Sequence, residues 1–211
     1  MTSTTAPAPL SQASLHLADD AASGAFGRKL ARGLFAALAS SHGGLVLYFA
    51  GDLGAGKTTV VRALLQALGV TGRIKSPTFT LVEPYELSAE ALTHAAASFG
   101  IELKRNLSLY CYHFDFYRFT DPREFVEAGF REHFHDDSIC LVEWPERIRS
   151  DFTPGASAAL PDPDLVVRLA VAAPPAVTAV SAGASHDTPG RAAQLAAFSA
   201  RGAQCLAVAA S

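Results

Sequence analysis

Leu47–Leu65 reads LYFAGDLGAGKTTVVRALL, and this stretch decides the fold. An apolar run, Leu45–Ala50, enters a glycine-rich turn. Beyond it, Val60, Val61, Leu64, Leu65 and Leu68 recur at the spacing of one helical face. Strand, tight loop and helix are the required setting for Gly51–Thr58, GDLGAGKT, which satisfies G-x-x-x-x-G-K-[ST] (Walker A) at every required position. Its glycines let successive backbone N–H groups turn toward a phosphate, and a helix opening at Lys57 adds its positive dipole end. The Lys57 ammonium then reaches β- and γ-phosphates, and the Thr58 hydroxyl is placed for Mg²⁺.

The rest of the composition narrows the class. At 211 residues and 49% hydrophobic content, one compact domain with loop decoration is expected. A formal charge of −3 without a long basic block leaves no electrostatic footprint for unaided nucleic-acid binding. Cys111, Cys140 and Cys205 are widely spaced and odd in number, and two lie in apolar strand-like runs. They read as buried, inert thiols, which argues against disulfides and zinc. The N-terminal MTSTTAPAPLSQ has neither a positive charge nor an apolar core, so it does not read as a secretory signal. No apolar run approaches the roughly 18–20 residues that span a bilayer. A soluble, cytoplasmic protein without membrane association is expected.

Residues 1–18 are expected to be a disordered lead-in, Thr-, Ala- and Pro-rich at its start. A single domain then fills 19–211. Phe26, Leu30, Leu34, Phe35 and Leu38 predict a helix from Asp19 or Asp20 to about Ala39. SPTFTLVEPY (76–85) reads as a short extended segment, followed by a helix near Ser88–Ser98. LSLYCYHFDF (107–116) has strong strand propensity. Asp121, Pro122 and Glu124 mark a helix start, with the helix running to about His133. ICLVEW (139–144) is the continuous apolar run of a strand buried on both faces. Further strands are predicted at Leu165–Val171 and Arg191–Phe198. Helices alternating with apolar strands argue for an α/β sandwich.

Two acids end apolar strands: Asp115 after LYCYHF, and Glu143 after ICLV. Ligands of open α/β sheets sit at the carboxyl ends of strands, so both can face a Mg²⁺–triphosphate. Thr78 and Thr80 occupy the loop position where GTPases keep a γ-phosphate-sensing threonine. No Asn-Lys pair is present for a guanine-reading N-K-x-D, and Asp115 is followed by Phe116, Tyr117 and Arg118 rather than opening a switch D-x-x-G, which argues against a GTPase of that kind. Two alternatives stay open on the residues alone. One is a small-molecule kinase with Asp115 as base and Arg118 steadying phosphates. The other is a nucleotide-dependent binding switch with incidental hydrolysis.

Taken together, GDLGAGKTT, KSPTFTLVEPY, YHFDFYR, DP-E and ICLVEW resemble the TsaE (YjeE) family of P-loop ATPases. The order and spacing hold from about Asp19 to Glu146. LPDPDLVVRL (160–169) extends the match, and GRAAQLAAFSARG (190–202) continues it weakly. The resemblance implies a P-loop NTPase-like sandwich, a mixed sheet flanked by helices. It implies Mg²⁺ and ATP as cofactors, with ATP held across Leu53, Gly54, Ala55, Gly56, Lys57, Thr58 and Thr59, and Thr58 and Glu143 at the metal. Asp115 matches the acid of hydrolysis, Thr78 the threonine of a switch-like loop, and Trp144 a tryptophan beside the metal-side glutamate. The implied role is tRNA threonylcarbamoyladenosine synthesis with a TsaB–TsaD heterodimer, tRNA being met only through that complex. Against the family pattern, insertions are expected near 87–106, 149–159 and 172–189. No clear arginine finger is visible in the chain, which suits an ATPase that is slow alone.

Overall fold

Along Leu45–Ala50 (β2) the side chains divide between two cores. Leu45, Leu47 and Phe49 face one; Tyr48 and Ala50 face the other. The computed structural model describes residues 8–104, 107–150, 152, 159–172 and 190–211. The same parity recurs in Leu109–Asp115 (β4), Ser138–Glu143 (β5) and Leu165–Val171 (β6). Successive strand side chains point to opposite faces, so a strand covered on both faces must be apolar throughout. That is why ICLV carries no polar break.

With Ser11–Leu17 (β1), Val82–Leu87 (β3) and Arg191–Ala197 (β7), these strands form one seven-stranded sheet in the order β1-β7-β6-β2-β5-β4-β3. The four central strands are parallel, and the outer pairings are antiparallel. This is the mixed α/β architecture expected from the sequence.

The larger core lies under Asp20–Ser40 (α1), Lys57–Ala67 (α2), Ala89–Ser98 (α3) and Ala200–Ala209 (α5). On the opposite face Phe114, Phe116, Phe119 and Phe125 form an aromatic core beneath Arg123–Glu127 (α4) and the short 3-10 turn Phe130–His133. The helix α1 begins where the Asp19 carboxylate accepts from the Ala22 N–H at 2.6 Å, a side-chain cap. It buries Phe26, Leu30, Leu34 and Leu38, and Gly27 lets it press directly on α2.

Several expectations need correction. Ser11–Leu17 is not part of a disordered lead-in but an edge strand, in register with β7 from Ser11↔Ala197 to Leu17↔Arg191. Ser, Gln and Ala hide its alternation, and its partner lies at the far end of the chain. Only Leu17 is fully buried, with Ala13 and Leu15 packed partly against the core. The helix expected to reach His133 stops at Glu127. Gly129 takes a left-handed backbone (φ 71°) and resets the chain into the 3-10 turn. Extended structure in 76–85 begins only at Val82, after a turn closed by the Leu81 N–H donating to the Pro77 carbonyl at 2.6 Å. The C-terminal helix α5 was not foreseen.

The insertion near 87–106 contains α3, whose Leu92, Ala95 and Ala96 join the larger core. Most of 149–159, nearly all of 172–189 and residues 1–7 lie outside the described residues. All three cysteines are buried free thiols, and burial pushes Cys140 and Cys205 up to about 12. Among the described residues no helix is long and apolar enough to cross a membrane.

A Cβ on Gly27 would sit 2.5 Å from the Val60 carbonyl oxygen and 2.8 Å from the Ala63 Cβ. Gly27→Val is therefore expected to push α1 off α2 and cost about 1–3 kcal/mol, read as a lowered urea midpoint. An unchanged midpoint would show that the two helices can part freely.

Candidate functional site

Register and parity bring the two strand-end acids together. Asp115 stands opposite Glu143, and Glu143 opposite Phe49, at the carboxyl ends of three adjacent parallel strands. Ile139, Leu141 and Glu143 alternate onto the helix-covered face of the sheet, as do Cys111, His113 and Asp115 one strand over. The chain leaving β2 turns over that same edge and begins α2.

Glycine is needed where this loop turns. Gly51 (φ 132°) passes so close to the Leu169 carbonyl that no Cβ would fit, and Gly56 (φ 95°) ends the loop in a left-handed backbone. Leu53, Gly54, Gly56, Lys57, Thr58, Thr59, Thr78, Asp115 and Glu143 line one cleft of about 380 Å³. Ala55, expected at this site, is buried in the core and does not line the cleft.

Thr58 donates its hydroxyl to Glu143 Oε2 at 2.7 Å, and His113 Nε2 lies 2.8 Å from Glu143 Oε1. Asp115 Oδ2 accepts from Thr78 (2.6 Å) and Ser76 (2.8 Å), and its Oδ1 accepts from the Tyr117 N–H at 3.1 Å. Lys57 donates to the Gly51 and Asp52 carbonyls at 2.6 and 2.9 Å, with its ammonium 3.6 Å over the Trp144 ring. Burial holds the Lys57 ammonium below the usual lysine range, and Glu143, Glu146, Asp115 and Asp52 oppose that shift. A bound polyanion would oppose it further.

The same geometry suits a hard divalent cation. A buried carboxylate oxygen and a hydroxyl oxygen face each other at the head of α2, a pair of oxygen donors of the kind Mg²⁺ takes. Other side chains at the cleft were not singled out in the sequence. Ser76 and Tyr117 lie inside motif blocks. Arg191 starts β7, lines the cleft beside Gly56 and pairs with Asp20 at 3.2 Å. As the lone charge opening GRAAQLAAF it offered a faint signal, but nothing in sequence ties the end of the chain to its beginning. Arg118, by contrast, is exposed and stacks on Phe79 at 4.0 Å. Arg149 is buried against Asp162 and the Leu160 carbonyl, away from the cleft.

Residues 17–170 match the family model "Threonylcarbamoyl adenosine biosynthesis protein TsaE". The chain belongs to the TsaE family. It is 38% identical over 125 residues to the tRNA threonylcarbamoyladenosine biosynthesis protein TsaE of Haemophilus influenzae, covering 59% of this chain and 62% of that protein. The Bacillus subtilis protein of the same name is 37% identical over 105 residues, covering 50% of this chain and 53% of its own. The matched region thus spans between half and two thirds of these relatives. The crystal structure of Bacillus subtilis YdiB superposes with a TM-score of 0.57 at 22% identity, covering 94% of both chains, a likeness of fold. In TsaE terms, the matched region carries the glycine-rich loop, both acids and Thr78. The strand β7 with Arg191 lies beyond it.

Ser76 and Thr78 both donate to Asp115 Oδ2 and lie 2.9 Å from each other. Asp115→Ala is expected to loosen the turn before β3, lowering hydrogen-exchange protection at the Leu81 amide about tenfold. Unchanged protection would show that the Leu81–Pro77 turn holds itself.

Proposed function

We propose that this protein is a Mg²⁺-dependent ATPase serving threonylcarbamoyladenosine formation in tRNA, as a turnover factor for the TsaB–TsaD heterodimer. The observation that carries this reading is the contact between Thr58 and Glu143 at the head of α2, with Asp115 in register one strand away. Family membership and the names of the relatives support the pathway.

The backbone of Leu53–Thr59 and the opening of α2 would hold the phosphates, since unpaired N–H groups and the helix dipole favour anions there. Lys57 would exchange the Gly51 and Asp52 carbonyls for phosphate oxygens, a stronger partner for an ammonium. Thr58 and Glu143 would hold Mg²⁺, which when bound supplies charge that stabilises the transferring phosphoryl group. Asp115 orients the attacking water, with Ser76 and Thr78 steering its carboxylate. Hydrolysis would break the bond between the γ-phosphorus and the β,γ-bridging oxygen as water adds to that phosphorus, releasing ADP, inorganic phosphate and a proton to solvent. A small-molecule kinase fits less well. Such kinases close a lid with several arginines over the phosphates. Here Arg149 is buried against Asp162 and Arg118 stacks on Phe79, which leaves Arg147 beside Trp144 and Tyr117 and Arg191 on β7 near the cleft.

Lys57→Ala is expected to abolish ATP binding in a calorimetric titration. Asp115→Ala and Glu143→Ala should lower phosphate release by about 10²-fold while affecting ATP affinity much less. If both acid variants hydrolyse ATP normally, the assignment of the site is wrong. With γ-labelled ATP, label should move to free phosphate; transfer to a small acceptor would restore the kinase reading. A pull-down with TsaB and TsaD, with and without ATP, tests the partner. A hydrolysis-dead variant that still binds ATP should fail to support tRNA modification; full support would mark a binding switch.

A further inference from the structure

His113 has no part in the reading above, yet it is fully buried and touches the carboxylate on which that reading turns. It follows Cys111 and precedes Asp115 on the helix-covered face of β4, with Leu141 and Glu83 as its neighbours across the sheet. Its Nε2 lies 2.8 Å from Glu143 Oε1, while Glu143 Oε2 accepts from Thr58. An ionised carboxylate only accepts, so Nε2 is the donor.

The other ring nitrogen, Nδ1, is buried without a hydrogen-bond partner among the described residues. A histidine kept only to fill space would be a poor choice here. A leucine or phenylalanine fills an apolar slot without stranding a polar atom. The hydrogen bond to Glu143 is what the imidazole adds.

We propose that His113 is a positioning residue that sets the rotation of the Glu143 carboxylate and thereby presents Oε2 to the divalent cation. The proposal rests on the reading of Thr58 and Glu143 as the metal side of the site. A carboxylate at the end of a strand turns about its last side-chain bond unless one oxygen is held. His113 holds Oε1 from within the sheet, which leaves Oε2 aimed at Thr58 and the head of α2. Partners that orient a metal ligand in this way are typically worth about 10–100-fold in metal affinity.

The test is calorimetric binding of a non-hydrolysable ATP analogue to the full chain, in excess Mg²⁺ and in EDTA, for wild type, Glu143→Ala, His113→Phe and His113→Gln. The quantity read is the ratio of the two dissociation constants, which needs no turnover. His113→Phe keeps ring volume without a donor, and should shrink the Mg²⁺ advantage by about 10-fold or more while leaving EDTA affinity near wild type. His113→Gln retains a donor and should recover most of the advantage, which a mere packing role would not produce. A wild-type Mg²⁺ advantage in His113→Phe, or equal loss of affinity with and without Mg²⁺, overturns the proposal. If His113→Phe does not fold, His113→Gln decides: a lost Mg²⁺ advantage overturns it, a retained one supports it. Should wild type show no Mg²⁺ advantage, or Glu143→Ala keep it, the parent reading of the metal side fails first.

Discussion

The site depends on one constraint of sheet geometry: three parallel strands that end at the same level. Parallel pairing locks β2, β5 and β4 so that Phe49, Glu143 and Asp115 stand side by side. A slip of one residue in β5 or β4 would turn its acid to the aromatic face. The apolar alternation of ICLV and of LYCYHF forbids that slip, because it would exchange the contents of two different cores. Core packing, rather than any contact within the cleft, therefore sets the spacing of the two carboxylates.

Around those strand ends the backbone is held in conformations that side chains seldom adopt. Leu81 (φ 66°) and Trp144 (φ 58°) both lie in the left-handed region although neither is glycine, at a cost of order 1–3 kcal/mol each. Each is tied in place. Leu81 accepts from the Asp115 N–H at 3.1 Å, and the Trp144 N–H donates to Phe49 at 3.2 Å. The strained turn at Trp144 swings the indole over Lys57 and next to Tyr117. Strain, a buried ammonium and a buried carboxylate thus concentrate at the carboxyl ends of the central strands, while buried charge also occurs away from them at Arg149 and Asp164.

The antiparallel additions have a different character. The strand β7 brings Arg191 to the cleft, and α1 opens with Asp20 across from it. Asp20 is largely exposed, so the pair itself contributes little stability. Its placement depends on β1, β7 and β6 pairing in sequence, which joins the first strand to the last through small side chains such as Ala13 and Ala193.

The glycine-rich loop, the strands at Leu45–Ala50, Ser138–Glu143 and Leu165–Val171, and the acids at two strand ends were legible in the sequence. Their signals are local: apolar runs, glycines at fixed offsets, and an acid closing a run. The edge strand Ser11–Leu17, the break at Gly129 and the cleft-facing Arg191 were not, because nothing within a few residues of them declares the partner that gives them meaning. The sequence by itself determined which residue types reach the cleft from the central strands and the loop. Only tertiary structure decided that Glu143 is held by Thr58 on one oxygen and His113 on the other, and that Asp115 is engaged by Ser76 and Thr78. Parallel register and parity set His113 beside Glu143, while Thr58 reaches it from α2 and Ser76 and Thr78 reach Asp115 from the loop before β3, pairings that exist only once these separate elements lie side by side.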